Sequence, residues 1–302
     1  MGELAERILA GDVRALARAA TLVENRRPAA EDLLRELFPH TGRALTIGIT
    51  GPPGSGKSTL VDRLAQAIRA EGQTAGILAV DPTSPFSGGA ILGDRIRMLR
   101  HHDDAGVFIR SMATRGNLGG LAPATMDLAL LLDAAGRDVV LVETVGVGQG
   151  EVEIARLADV TMVVLVPQTG DDVQALKAGI MEIADVFAIN KSDLPGADQL
   201  ERDLKAALSL AHGRDGWNPP IVRTVASEGE GTEEALAATR SFHKSSVAGN
   251  RRAESWRLRL REMLREKVLE RIPAEEIDAA AQAVASRERD PYAIVDDWSR
   301  RI

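Results

Sequence analysis

Nine consecutive residues, Gly51-Pro52-Pro53-Gly54-Ser55-Gly56-Lys57-Ser58-Thr59, satisfy the spacing Gly-x-x-x-x-Gly-Lys-Ser between a β-branched apolar run and a segment of helical period. Glycines let a backbone fold close around phosphates with its amides pointing inward, and the following helix sets the positive end of its dipole at the anion. Lys57 would then reach β/γ oxygens and the Ser58 hydroxyl would ligate Mg²⁺. A second element, Asn190-Lys191-Ser192-Asp193, speaks to the base. A carboxylate at Asp193 accepts from both the N1–H and the exocyclic amine of guanine, a pair adenine does not offer, and the Lys191 stem can lie along the purine face. Unpaired buried groups penalise the wrong ligand strongly, so this pattern implies GTP rather than ATP. Further on, Thr224-Val225-Ala226-Ser227 lies where a backbone amide would meet guanine O6; Val225 replaces the usual serine, which leaves the Ala226 amide as the expected donor.

A third set of residues fits a metal and a hydrolytic step. The apolar run 138–142 ends in Glu143-Thr144-Val145-Gly146, the place where GTPases carry Asp-x-x-Gly, with the carboxylate on Mg²⁺ through water and the glycine amide on the γ-phosphate. Val147 stands where fast GTPases have the glutamine that orients water, so hydrolysis should be slow and Gln149 or a partner must position the water. Asp81, which is equally a turn former before Pro82, and Asp94 are further carboxylates for the metal. The expected catalytic residues are Lys57, Glu143, Gly146 and Gln149, and the expected metal ligands are Ser58, Asp81, Asp94 and Glu143. Arg95, Arg97, Arg110 and Arg115 are open candidates for phosphate or partner contacts. His101-His102-Asp103-Asp104 lacks partners at ligand spacing and reads as a solvated loop.

These residues need a scaffold, and the chain's pattern supplies one. Short apolar runs at 44–50, 74–80, 106–110, 138–142, 160–166, 186–190 and 220–225 alternate with segments of helical period, which implies βα units and an α/β fold with a mainly parallel sheet. Residues 1–42 read as a helical N-terminal extension and 248–302 as a helical arm with one apolar stripe, flanking a P-loop domain at 43–247. That stripe either packs on the body or pairs with a second copy. With 302 residues, 44% of them hydrophobic, the chain can bury a substantial core, and a formal charge of −7 argues against general attraction to nucleic acid or an anionic membrane. It has no cysteine, which excludes thiolate metal clusters and a Cys nucleophile. Neither a signal-peptide pattern nor an apolar run of roughly 18–20 residues is present, so the expected location is cytoplasmic.

Taken together, the motifs resemble the MeaB/ArgK-type (MMAA-like) G proteins. Besides the phosphate and base elements, the resemblance rests on Val80-Asp-Pro-Thr-Ser-Pro-Phe86, Gly93-Asp-Arg-Ile-Arg-Met98, Arg110-Ser-Met-Ala-Thr-Arg-Gly116, Leu118-Gly-Gly120, Glu143-Thr-Val-Gly-Val-Gly-Gln149 and Gln168-Thr-Gly-Asp-Asp172. It implies a GTP-dependent chaperone of adenosylcobalamin-dependent acyl-CoA mutases such as methylmalonyl-CoA mutase. It also implies that 81–98 and 143–150 are switches, that 168–177 senses the mutase, and that the C-terminal arm makes a homodimer. Two other classes compete. A nickel metallochaperone GTPase needs Cys or His clusters, against which the composition speaks. A small-molecule kinase would usually use ATP, against which Asp193 speaks.

Overall fold

The computed structural model describes residues 1–81, 101, 103–113, 124–144, 150–167, 180–210 and 216–301. Runs dense in Val and Ile and bounded by turn residues become strands, because branched side chains pack well on a pleated surface covered on both faces. Among the described residues these are β1 (Leu45–Thr50), β2 (Ala75–Asp81), β3 (Val107–Ala113), β4 (Val139–Glu143), β5 (Val160–Leu165), β6 (Val186–Asn190) and β7 (Ile221–Thr224). They form one sheet in the order β3-β2-β4-β1-β5-β6-β7, with every described pairing parallel. The α/β reading with a parallel sheet is therefore what the structure shows.

Successive strand residues point to opposite faces, and the helices cover both. On one face α4 (Lys57–Ala70) and α9 (Thr232–His243) bury Leu60, Leu64, Ile68, Leu236 and Phe242 against Ile47, Ile49, Ile77 and Leu141. On the other, α1 (Glu3–Leu9), α2 (Val13–Glu24), α3 (Pro28–Leu37) and α5 (Ala124–Ala134) share a cluster with Leu78, Val80, Val140 and Val142. The residues 1–42 are thus part of the sheet's own core. Asp12 starts α2 by accepting from Arg14 N and Ala15 N at 2.8 and 3.1 Å. Arg110 on β3 donates to Glu24 and Thr21 of α2, so this candidate for phosphate contact is held by a helix instead. On this second face α6 (Gly150–Leu157) adds Ile154 to the same cluster, and α7 (Ile180–Ile183) and α8 (Ala197–Leu210) cover Val163, Leu165, Phe187 and Ile189. A Cβ on Gly48 would lie 2.4 Å from Ile154 Cγ1, so a glycine in β1 is what lets α6 approach.

One device repeats at the sheet's N-terminal edge. Asp138, Asp159 and Asp185 each sit one residue before a strand and accept the amide at or near the start of the neighbouring strand: Thr74 N at 2.7 Å, Thr46 N at 2.9 Å and Thr161 N at 2.7 Å. Asp133 does the same for the entry to β1, accepting from Gly42, Arg43 and Ala44 amides. These carboxylates satisfy donors that a parallel ladder leaves open at its beginning.

By contacts the described residues divide into two compact units, Met1–Asn250 and Arg251–Ile302. The long helix α10 (Ser246–Leu269) leads into the second, followed by α11 (Ala274–Ala285) and α12 (Pro291–Arg301). Within that unit Trp298 Nε1 and Arg301 both donate to Glu276, and Ile294 is buried. Among the described residues no helix is long and apolar enough to cross a membrane.

Candidate nucleotide site

β1 is the central strand, and the chain leaves its C-terminal end directly into the glycine loop before α4 begins at Lys57. Two glycines there are required by space as well as by φ. A Cβ on Gly51 (φ 141°) would lie 2.1 Å from the Val164 carbonyl oxygen, and one on Gly56 (φ 87°) 2.3 Å from Asn190 Nδ2. Ser55 N closes the loop on Pro52 O at 3.2 Å, while Pro53 and Gly54 lie exposed at its tip and Thr59 is half-buried behind it. The Lys57 side chain is buried, and its Nζ donates to the carbonyls of Gly51 (2.9 Å) and Pro52 (3.0 Å). The ammonium is thus held over the loop by neutral acceptors of the loop itself.

Parallel pairing of β1 with β4 sets Ile49 beside Glu143, which brings the strand-end carboxylate to the loop. Ser58 Oγ donates to Glu143 Oε1 at 2.6 Å, with both residues buried. The sheet continues this edge, because Ala79 pairs with Glu143 and the backbone of Asp81 follows two residues later. The Asp81 side chain, Asp94, Gly146 and Gln149 lie outside the described residues, as does 168–177.

The base element is joined to the loop through Asn190, almost fully buried. Its Nδ2 donates to Ser55 O at 2.8 Å, and its Oδ1 accepts from Ala226 N at 3.0 Å and Thr224 Oγ1 at 3.2 Å. One side-chain amide therefore fixes three segments. Lys191 adopts a positive φ of 55° and lays its Nζ on Gly54 O at 3.0 Å, while Asp193 is exposed in the turn that follows. Ser192 N donates to Thr224 O at 3.1 Å, which keeps that turn against the 224–227 segment. The Ala226 amide, expected from sequence to face the base, is bonded to Asn190. Val225 is buried and bridges Glu230, and Ser227 is exposed.

Sequence reasoning missed one participant and misread another. Arg63 on α4 donates to Ala226 O at 3.0 Å and Ser227 O at 2.5 Å, a contact that no local pattern announces. His101 is buried, not solvated, with Nε2 3.0 Å from Asp62 Oδ1. Asp104 is held below the usual carboxylate range by the Arg69 guanidinium and by the Gly106 amide. Asp103 is exposed as a loop residue should be, and the solvated reading fails at His101 because α4 places Asp62 against it. Among the described residues no group of three His, Asp or Glu could hold a metal ion.

The chain matches a family model described as "Methylmalonyl Co-A mutase-associated GTPase MeaB" over residues 16–279. It is 49% identical to a Pyrococcus abyssi protein provisionally named a GTPase, over 97% of this chain and 94% of that one. A mouse protein named methylmalonic aciduria type A homolog, mitochondrial, is 34% identical over 87% of this chain and 69% of its own length. A solved structure described as LAO/AO transport system kinase superposes with a TM-score of 0.73 at 30% identity, covering 99% of this chain and 96% of that chain. The glycine loop on the central strand, the carboxylate beside its serine and the Asn-Lys-x-Asp turn agree with these likenesses: the chain belongs to the MeaB family of P-loop GTPases.

Proposed function

We propose that this chain binds GTP and GDP at Gly51–Thr59, hydrolyses GTP slowly, and uses the two nucleotide states to gate cofactor loading or protection of an adenosylcobalamin-dependent acyl-CoA mutase such as methylmalonyl-CoA mutase. The observation that carries the reading is the buried 2.6 Å bond from Ser58 to Glu143, which ties the phosphate loop to the carboxylate opening the 143–150 segment. Asp193 would choose guanine, and Lys57 would leave its loop carbonyls to neutralise β/γ oxygens. Hydrolysis breaks the bond between the γ-phosphorus and the bridging oxygen, and water supplies the new one. Gly146 and Gln149 are proposed for the γ-phosphate and the water.

A hydroxyl and a carboxylate brought together in a buried site are hard oxygen donors, so Ser58 and Glu143 fit Mg²⁺, with Asp81 and Asp94 as proposed additional ligands. When bound, the ion would neutralise charge on the β/γ oxygens. The proposed partner surface is 81–98, 143–150 and 168–177, whose arrangement would follow the γ-phosphate. In the second unit Leu260, Met263 and Leu264, spaced three and four apart and exposed on α10, support a homodimer seam.

The test is steady-state GTP hydrolysis with and without a B12-dependent mutase, reading free phosphate and any phosphorylated small molecule. Faster release of free phosphate with the mutase is expected; a rate indifferent to the mutase would reject the chaperone role. The likeness to a structure described as a kinase favours a second reading, and phosphate appearing on an acceptor would establish it.

A further inference from the structure

Arg63 has an unusual assignment for a cation on a helix surface. Among the described residues it pairs with no carboxylate within salt-bridge distance, and its three nitrogens go elsewhere. Nε donates to Ala226 O at 3.0 Å and Nη2 to Ser227 O at 2.5 Å, so the planar fork grips two successive carbonyls, while Nη1 donates to Gln66 Oε1 at 3.1 Å. Gln66 is itself held by Asp62, Nε2 to Oδ2 at 3.1 Å, which fixes the guanidinium from behind. A rigid fork holds a peptide segment in one orientation, which a single ammonium does not do.

That grip has a directional consequence. In a trans peptide the C=O and N–H point opposite ways, so turning the Ala226 carbonyl to Arg63 turns the Ser227 N–H away from it. The neighbouring Ala226 N–H is taken by Asn190 Oδ1, and Glu228 N closes back on Val225 O at 2.9 Å. Among the described residues the Ser227 N–H alone of these three meets no acceptor, and Ser227 is exposed. The same segment is held to the Asn190–Asp193 turn by Thr224 O and Ser192 N.

We propose that Arg63 is a positioning residue for base recognition: its fork on Ala226 and Ser227 presents the Ser227 amide to the O6 oxygen of guanine. The proposal rests on the guanine reading of the site and adds to it the residue that orients the O6 donor. Arg63 does not touch the nucleotide. It acts by keeping one peptide plane turned.

The experiment measures binding of GDP, inosine diphosphate and 6-thio-GDP to the full chain by calorimetry, with ADP as the control for the base. 6-Thio-GDP keeps the N1–H and amine for Asp193 and replaces O6 by sulfur, a weak acceptor. Inosine diphosphate keeps O6 and lacks the amine. The natural protein should prefer GDP over 6-thio-GDP about tenfold, the size of one well-made hydrogen bond. Arg63→Ala should bring that ratio close to one while leaving the ratio of GDP to inosine diphosphate unchanged. Arg63→Lys, which retains the charge but not the fork, should restore the ratio only in part, and it decides the matter should the alanine variant fail to fold. Equal weakening of all three ligands by either variant would mean that Arg63 only stabilises the fold, and would overturn the proposal. No preference for GDP over ADP in the natural protein would overturn the guanine reading beneath it.

Discussion

Asn190 joins Ser55, Thr224 and Ala226 through one buried side chain, so its removal leaves a carbonyl, a hydroxyl and an amide unsatisfied together. Asn190→Ala should cost about 2–3 kcal/mol of unfolding free energy, a magnitude set by the desolvation of orphaned polar groups. Urea denaturation measures it, and a loss under 0.5 kcal/mol, roughly the least one net hydrogen bond contributes, would show that the three segments hold without this link. Lys57→Ala should weaken GTP binding about a hundredfold, as expected when a charged hydrogen-bond donor to phosphate is lost. Equilibrium dialysis is the check. The clustering of Lys57, Ser58 and Asn190 around one loop was legible because contiguous motifs at strand ends announce it. Arg63 was not, since its partners Ala226 and Ser227 lie on another loop far along the chain and backbone carbonyls leave no trace in sequence.

The strands were readable to within a residue or so at most ends: runs at 160–166 and 186–190 became Val160–Leu165 and Val186–Asn190. Their edge chemistry was also present and went unread, as Asp138-Val139, Asp159-Val160 and Asp185-Val186 repeat one dipeptide at three strand starts. The reason is that an Asp before a strand reads as a turn former until its neighbour's amide is in place. Asp185→Ala should destabilise the sheet by about 1–3 kcal/mol because Thr161 N would be buried without an acceptor. Gly48→Ala should cost a similar amount, about 1–3 kcal/mol, by forcing Ile154 and α6 outward. Thermal melts of both variants test these values, and a Gly48→Ala protein as stable as its parent would contradict the close approach. Helix α12 lies inside the stretch read as a helical arm, but its own bounds were not legible, because Pro291-Tyr-Ala-Ile-Val-Asp-Asp-Trp carries only a short apolar period.

Across the molecule, several carboxylates are held below their ordinary values by guanidinium or ammonium partners: Glu71 by Arg240, Asp104 by Arg69, and Glu201 by Lys205 and Arg223. Groups whose folded value is depressed stabilise the fold above their unfolded value, about 4 for Asp and Glu, and lose that contribution as pH falls further. The melting temperature should therefore drop as pH is lowered below about 4.5 and gain nothing from these pairs between neutrality and mild base. A melting temperature flat down to acid would contradict the pairs. For the arm, Leu260→Glu with Leu264→Glu should convert a dimer into a monomer by light scattering while sparing nucleotide binding; an unchanged mass would remove the proposed seam. The residues 1–42 were legible as helices but not as core, because amphipathic period shows that a face is buried and not against what. Calorimetric titration of the natural protein and Asp193→Ala with GDP and with ADP, in the presence of magnesium, bears most directly on the guanine site. Tight GDP binding with negligible ADP binding, abolished as a preference by Asp193→Ala, is the expected result; ADP bound as tightly as GDP would contradict it.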